Sequence, residues 1–146
     1  MIRSAFLVVA TVLVAGAVAA QSDPIATRKA LMKANGDQAK IGAAMAKGEV
    51  PFDTQKAKVM FATFVDAANK MPSLFPDNSK TGGETAAAPK LWENLADVKA
   101  RFAKLGSDAK AAQASVTDLA TFKAAFGSIG KQDCGGCHEL YRIKKS

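Results

Sequence analysis

The sequence predicts an all-α protein, an antiparallel up-down-up-down four-helix bundle. Three observations carry that expectation. The composition is rich in Ala, Lys, Leu and Phe, whereas Tyr and Trp each occur once, which favours helices over strands. Apolar residues recur at three- and four-residue spacing in four separate stretches. Two of the three joints between those stretches are short, which makes successive segments antiparallel neighbours.

The first segment runs from about Ile25, just after Pro24, to Lys47, where Gly48 and Pro51 stop it. The second begins with Asp53 as N-cap and repeats Ala57, Met60, Phe61, Phe64, Ala68 and Met71 until Pro72. From Pro72 to Ala88 the chain carries Phe75-Pro76-Asp77-Asn78 and Thr81-Gly82-Gly83-Glu84-Thr85, whose prolines and paired glycines exclude a continuous helix. A connection this long in a small domain is often functional. The third segment starts near Pro89, turns Leu91, Trp92, Leu95, Val98, Phe102 and Leu105 inward, and ends between Gly106 and Ser115. The fourth opens around Thr117-Asp118 and sets Leu119, Phe122, Phe126, Ile129, Cys134, Cys137 and Tyr141 along one side.

Residues 1–20 read as a signal peptide. Met1-Ile2-Arg3 is a short positive start, Ala5 to Val18 is an apolar run too short for a comfortable membrane span, and Ala17-Val18-Ala19-Ala20 offers small residues for cleavage. Cleavage after Ala20 leaves 126 of the 146 residues, beginning at Gln21, which suits one domain over 21–146. The mature chain is then not membrane-spanning. The formal charge of +7 falls to +6 once Arg3 is removed. Its lysines are scattered and read as a solvated coat, although a basic surface also suits an acidic redox partner. No nucleic-acid motif is present.

The chemistry lies in Cys134-Gly135-Gly136-Cys137-His138. Two thiols three positions apart share one helix face, and each can add to a vinyl group of a haem, leaving the next residue's imidazole beneath the iron. Cys-x-x-Cys also serves zinc and thiol exchange. A structural zinc needs four ligands, though, and the chain holds only three soft or imidazole ones; a thiol-exchange site belongs beside a βαβ pattern, which is absent here. One haem c is therefore expected, attached through Cys134 and Cys137, with His138 as the proximal ligand. Covalent haem attachment in bacteria takes place outside the cytoplasmic membrane. The only two cysteines are used for it, leaving no disulfide framework, so a periplasmic location is expected.

His138 is the only histidine, so the sixth ligand must be something else. If the first and fourth segments are antiparallel neighbours with outer ends near Ile25 and Lys144, His138 lies roughly 9 Å inside that end, level with a residue near position 31. Met32 falls there, whereas Met45 is about 20 Å farther along the axis. Met32 is either the distal ligand or a flexible core methionine beside the haem. Arg28, one turn nearer the end on the same face, is a candidate propionate partner or else a solvated helix charge. Lys29 and Arg142 are weaker candidates for that task, and Glu84 and Thr85 are candidate haem or propionate contacts from the long connection. With its one imidazole already used, the chain lacks the usual distal acid-base group of a peroxidase, so an enzymatic role is not expected.

The Cys-x-x-Cys-His followed by Tyr141-Arg142, the stretch Arg28-Lys29-Ala30-Leu31-Met32-Lys33, and Leu74-Phe75-Pro76 ahead of Thr81-Gly82-Gly83-Glu84-Thr85 together resemble the class II c-type cytochromes, cytochrome c′ and its low-spin relatives. The resemblance covers essentially the whole mature chain and implies haem c in the core of a four-helix bundle. In cytochrome c′ the position matched by Met32 is commonly apolar and leaves a five-coordinate iron. In the low-spin relatives a methionine in the same Leu-Met-Lys context is the sixth ligand. This chain combines the methionine of the second group with the arginine typical of the first. The expectation is a periplasmic electron carrier exchanging electrons with a redox partner protein. The alternative is a five-coordinate cytochrome c′ that binds nitric oxide or carbon monoxide. Class II cytochromes often pair as homodimers through their first two helices, and Gly42, Ala43, Ala44 and Ala46 would permit close approach there, although alanine-rich helices are also simply stable.

Overall fold

Asp23 starts the helical structure: its carboxylate accepts from the Ile25 N–H at 2.9 Å, with Pro24 in the first turn. The computed structural model describes residues 23–143; the expected signal peptide at 1–20 lies outside the described residues. Helix α1 (Pro24–Lys47) ends at Gly48, whose φ of 77° lets its N–H turn back to the Ala44 and Met45 carbonyls. Helix α2 (Thr54–Lys70) is capped by Asp53, which accepts from Gln55 and Lys56 N–H groups at 2.8 and 3.0 Å. Single 3₁₀ turns follow at Met71–Ser73 and Asp77–Ser79. Then come α3 (Lys90–Glu93), α4 (Leu95–Ser115) and α5 (Leu119–Ser128), the last opened by a reciprocal Asp118–Thr121 capping box. A π-helical stretch, Ile129–Gly135, leads into α6 (Gly136–Tyr141). The described residues contain no strand, only an isolated antiparallel bridge between Ala87 and Arg142.

Helix α2 packs against α4, α1 against α2 and α5, and α4 against α5, so the long helices close into a ring. At the end of the ring away from the cysteines an aromatic cluster fills the core. Phe122 stacks on Phe126 at 5.4 Å and meets Phe52 at 5.5 Å and Phe61 at 6.0 Å. None of the described helices is long and apolar enough to cross a membrane.

Three features depart from the expectations. The third segment is broken at Asn94 (φ −131°, ψ 37°), separating α3 from α4. Asn is a poor helix former, and its side chain here bonds the Lys90 carbonyl at 2.9 Å, satisfying a backbone group that the break would otherwise leave bare. The last helix is not uniform either: Gly136 donates to the Lys131 carbonyl five residues back. Third, Gly42 is buried within this chain. A Cβ there would stand 2.5 Å from Met60 Sδ and 3.1 Å from the Phe126 ring, so the close approach Gly42 permits within the chain is between α1, α2 and α5.

Phe122→Ala is expected to lower stability by about 3–5 kcal/mol, since it empties the centre of the aromatic cluster. Denaturant unfolding checks this: the midpoint falls while the slope stays that of the parent.

Candidate cofactor site

The site end of the molecule is organised by a buried arginine. Arg28, only 6% exposed, donates from Nη1 to the Leu74 carbonyl and to Ser79 Oγ (2.8 Å), and from Nη2 to the Ser79 carbonyl (3.0 Å) and Thr85 Oγ1 (3.2 Å). Its guanidinium lies 4.9 Å from the Phe75 ring centre and 5.6 Å from that of Trp92. Burial pulls its pKa down and Asp23 opposes this; arginine stays charged regardless. Nearby, Lys29 bonds the Gly83 carbonyl at 3.2 Å and the exposed Glu84 carboxylate at 3.3 Å. Gly83, at φ 52°, presses so closely on α1 that a Cβ would fall 2.9 Å from Ile25 Cγ2. The other edge of the connection is fastened to the end of α6: Ala88 donates to the Tyr141 carbonyl (2.9 Å) and Ile143 to that of Ala86 (2.8 Å). The 71–89 connection thus bridges the start of α1 and the end of α6.

Helix α4 seats the cysteine-bearing segment. Tyr141 donates its hydroxyl to Asp97 at 2.6 Å, and Arg101 Nε donates to the same carboxylate oxygen at 2.7 Å while lying over the Tyr141 ring. On the preceding turns, the buried Asp133 accepts from Lys104 Nζ at 2.8 Å, its second oxygen having no partner. Two polar ties from one helix therefore bracket Cys134 to His138.

Cys134 and Cys137 are free, half-buried thiols packed against the core; burial pushes both up in pKa, with Arg101 opposing the shift at Cys137. His138 is half-buried, and burial, aided by Arg142, lowers its pKa, which keeps the imidazole neutral and its lone pair available near neutral pH. Met32 and Leu31, also half-buried, border the same core from α1. The contact of Gly42 with Phe126 sets the register between α1 and the last helical run. His138 stands twelve residues beyond Phe126, and position 30 twelve residues before Gly42. The wider π turns advance less per residue, which moves the matching level from 30 toward Met32.

Arg28 has given all four terminal N–H groups to protein acceptors and keeps only Nε–H for any other partner. Glu84 points into solvent against Lys29, and Thr85 Oγ1 accepts from Arg28 and from Ala87 N–H. Sequence reasoning missed Ser79, Asp97, Lys104 and Asp133. The i,i+4 pairings of Asp97 with Arg101 and of Lys104 with Asp108 were the legible signals among them. It also missed Asn35, whose buried Oδ1 has no partner.

The donor set fits a haem c: two thiols on successive turns, a neutral imidazole immediately after them, and apolar half-buried neighbours. A porphyrin brings its own four nitrogens and requires only axial groups from the chain. Among the described residues no cluster of three or more His, Cys, Asp or Glu side chains is placed to hold a bare metal ion.

The sequence model of the family described as cytochrome C′ matches residues 23–142. The chain is 44% identical over 145 residues to a cytochrome c′ of Rhodopseudomonas palustris, covering 99% of both sequences. It is also 44% identical over 134 residues to a cytochrome c-556 of Agrobacterium fabrum, covering 91% of this chain and 89% of that one. The solved structure of cytochrome c′ from Rhodopseudomonas palustris matches with a TM-score of 0.82 at 46% identity, covering 86% of this chain and all of that one.

Arg28→Leu is expected to cost about 3 kcal/mol, because it strands the buried Ser79 carbonyl and the part-buried Leu74 carbonyl. Hydrogen exchange then shows the 71–89 connection losing protection before the helices. Asp97 gives a pH dependence. Hydrogen bonds from Arg101 and then Tyr141 hold its carboxyl below the usual range, so the unfolded chain takes up the proton first as pH falls. Its stabilising contribution is present above roughly pH 4 and is lost as pH falls through the carboxylate range toward the folded value. Asp97→Asn is expected to flatten that part of an acid titration followed through Tyr141, the only tyrosine.

Proposed function

This chain belongs to the cytochrome c′ family, and we propose that it is a periplasmic electron carrier holding one haem c through Cys134 and Cys137, with His138 as proximal and Met32 as distal ligand. What supports this reading is the contact of Gly42 with Phe126, because counting outward from it along α1 and along the last helical run reaches Met32 and His138 after similar lengths of helix. When bound, the haem supplies a ferric–ferrous couple. The chain's own residues do the rest. His138 presents a neutral ring nitrogen, held by a segment tied to α4 at Asp97 and Asp133. Met32 offers a thioether, a ligand that suits both oxidation states and raises the potential. The 71–89 connection, pinned by Arg28, limits water at that end of the bundle.

Export of residues 21–146 after removal of 1–20 belongs to the same proposal. Exposed Leu140 and Ile143, beside the Cys-x-x-Cys-His turns, suit a transient contact with a redox partner, while exposed Ile41, Val50 and Val59 support pairing of two copies through α1 and α2. The 44% identity to a cytochrome c′ over almost the whole chain supports a second reading, a five-coordinate site open to nitric oxide or carbon monoxide, in which Met32 merely fills space.

The ferric absorption spectrum separates the two. Methionine ligation predicts a low-spin spectrum with a weak far-red sulfur-to-iron band that disappears in Met32→Ala, together with slow carbon monoxide binding to the reduced protein. A high-spin spectrum unchanged by Met32→Ala supports the five-coordinate reading. A polypeptide that leaves the periplasm without covalently added porphyrin mass overturns both.

A further inference from the structure

The inner face of α1 is a stripe at Arg28, Met32, Ala39, Gly42 and Met45, and Asn35 occupies the intervening turn of that stripe. Side chains on a helix lean toward its N-terminus and cover the turn before their own Cα, which sets the Asn35 carboxamide over the surface that Met32 presents. Its Oδ1 is sealed from solvent and has no hydrogen-bond partner. Among the described residues only one other buried side-chain oxygen is in that position, and it belongs to Asp133, whose carboxylate is already held by Lys104. Asn35 thus brings a polar group to an otherwise apolar stretch of α1, one turn on from Met32, with nothing among the described residues to satisfy it.

A carboxamide can present either end to the same spot by rotating about its last torsion. An oxygen facing the lone pairs of an iron-bound atom would be repelled, whereas an N–H donates to them. We propose that Asn35 is a positioning residue of the distal site: with Nδ2 turned inward, it donates a hydrogen bond to the atom at the sixth coordination position. That atom is Met32 Sδ in the resting protein, or the diatomic ligand once the thioether is gone. The inference rests on the haem attachment proposed above but not on Met32 being the ligand.

The test uses the haem-loaded protein in the Met32→Ala background, which opens the distal side whether or not Met32 binds iron. Infrared spectra and affinities of the ferrous carbon monoxide adduct are compared for Met32→Ala, Met32→Ala/Asn35→Leu and Met32→Ala/Asn35→Gln. Losing one neutral hydrogen bond is expected to weaken carbon monoxide binding roughly three- to tenfold and to raise the C–O stretching frequency in the Leu variant; Gln, which keeps the carboxamide, recovers part of both. Identical frequency and affinity with Leu and Asn overturn the proposal. If the Leu variant fails to fold, Asn35→Ser is substituted in the same comparison. Failure of the methionine reading shows separately, as wild type and Met32→Ala sharing one ferric spectrum, and the carbon monoxide comparison still decides the role of Asn35.

Discussion

The anchoring of Arg28 is the constraint on which the site end of the molecule depends. One guanidinium meets four acceptors contributed by Leu74, Ser79 and Thr85, and two aromatic faces cover it. An irregular connection of this length would ordinarily be mobile, because its backbone groups find no regular partners. Here the buried charge supplies them. The arrangement is mutual: a desolvated arginine is tolerable only when its donors are engaged, and the connection's carbonyls can be buried only because the arginine engages them. Once one edge is fixed to α1, the Ala86–Ala88 backbone can reach the end of α6, and the bundle closes over the cysteine-bearing turns.

The opposite wall is fixed differently. Asp97, Arg101 and Lys104 all project from α4, the long helix packed deepest against α2, and they hold Tyr141 and Asp133 on either side of the Cys-x-x-Cys-His segment. A ligating side chain carried near a frayed chain end would wander. Polar ties to a rigid helix hold the imidazole's backbone before any cofactor contributes. The tie at Asp97 is partly exposed and therefore modest in energy, so its value lies in orientation more than in stability.

Much of this was legible in the sequence. The Asp23, Asp53 and Asp118 caps, the Pro72 stop and the core stripes of the second and fourth segments fall where local chemistry puts them, because each depends on residues a few positions apart. The π stretch was written in the pattern but not recognised. Inward residues of the last helix step by four and three through Phe122, Phe126 and Ile129, then by five to Cys134. An α-helix cannot keep a five-residue step on one face; a wider turn can. The partners of Arg28 were beyond reach for another reason. They lie 46 to 57 residues away in sequence, and nothing local distinguishes an arginine that binds a propionate from one that pins a loop. The break at Asn94 was missed because the apolar periodicity runs straight through it.

If the proposed ligation holds, the difference between an electron carrier and an open gas-binding site reduces to what α1 presents at one level of the bundle. On the proposed reading the cysteine-bearing side is held by α4 through Asp97 and Lys104, and the connection closing the end is held by Arg28, so neither needs to change between the two uses. Met32 would then decide whether a thioether reaches the iron, and its neighbour one turn on, Asn35, whether that place is wholly apolar. Because α1 is held in register by the contact of Gly42 with Met60 and Phe126, a ligand changed there lands at the same height each time.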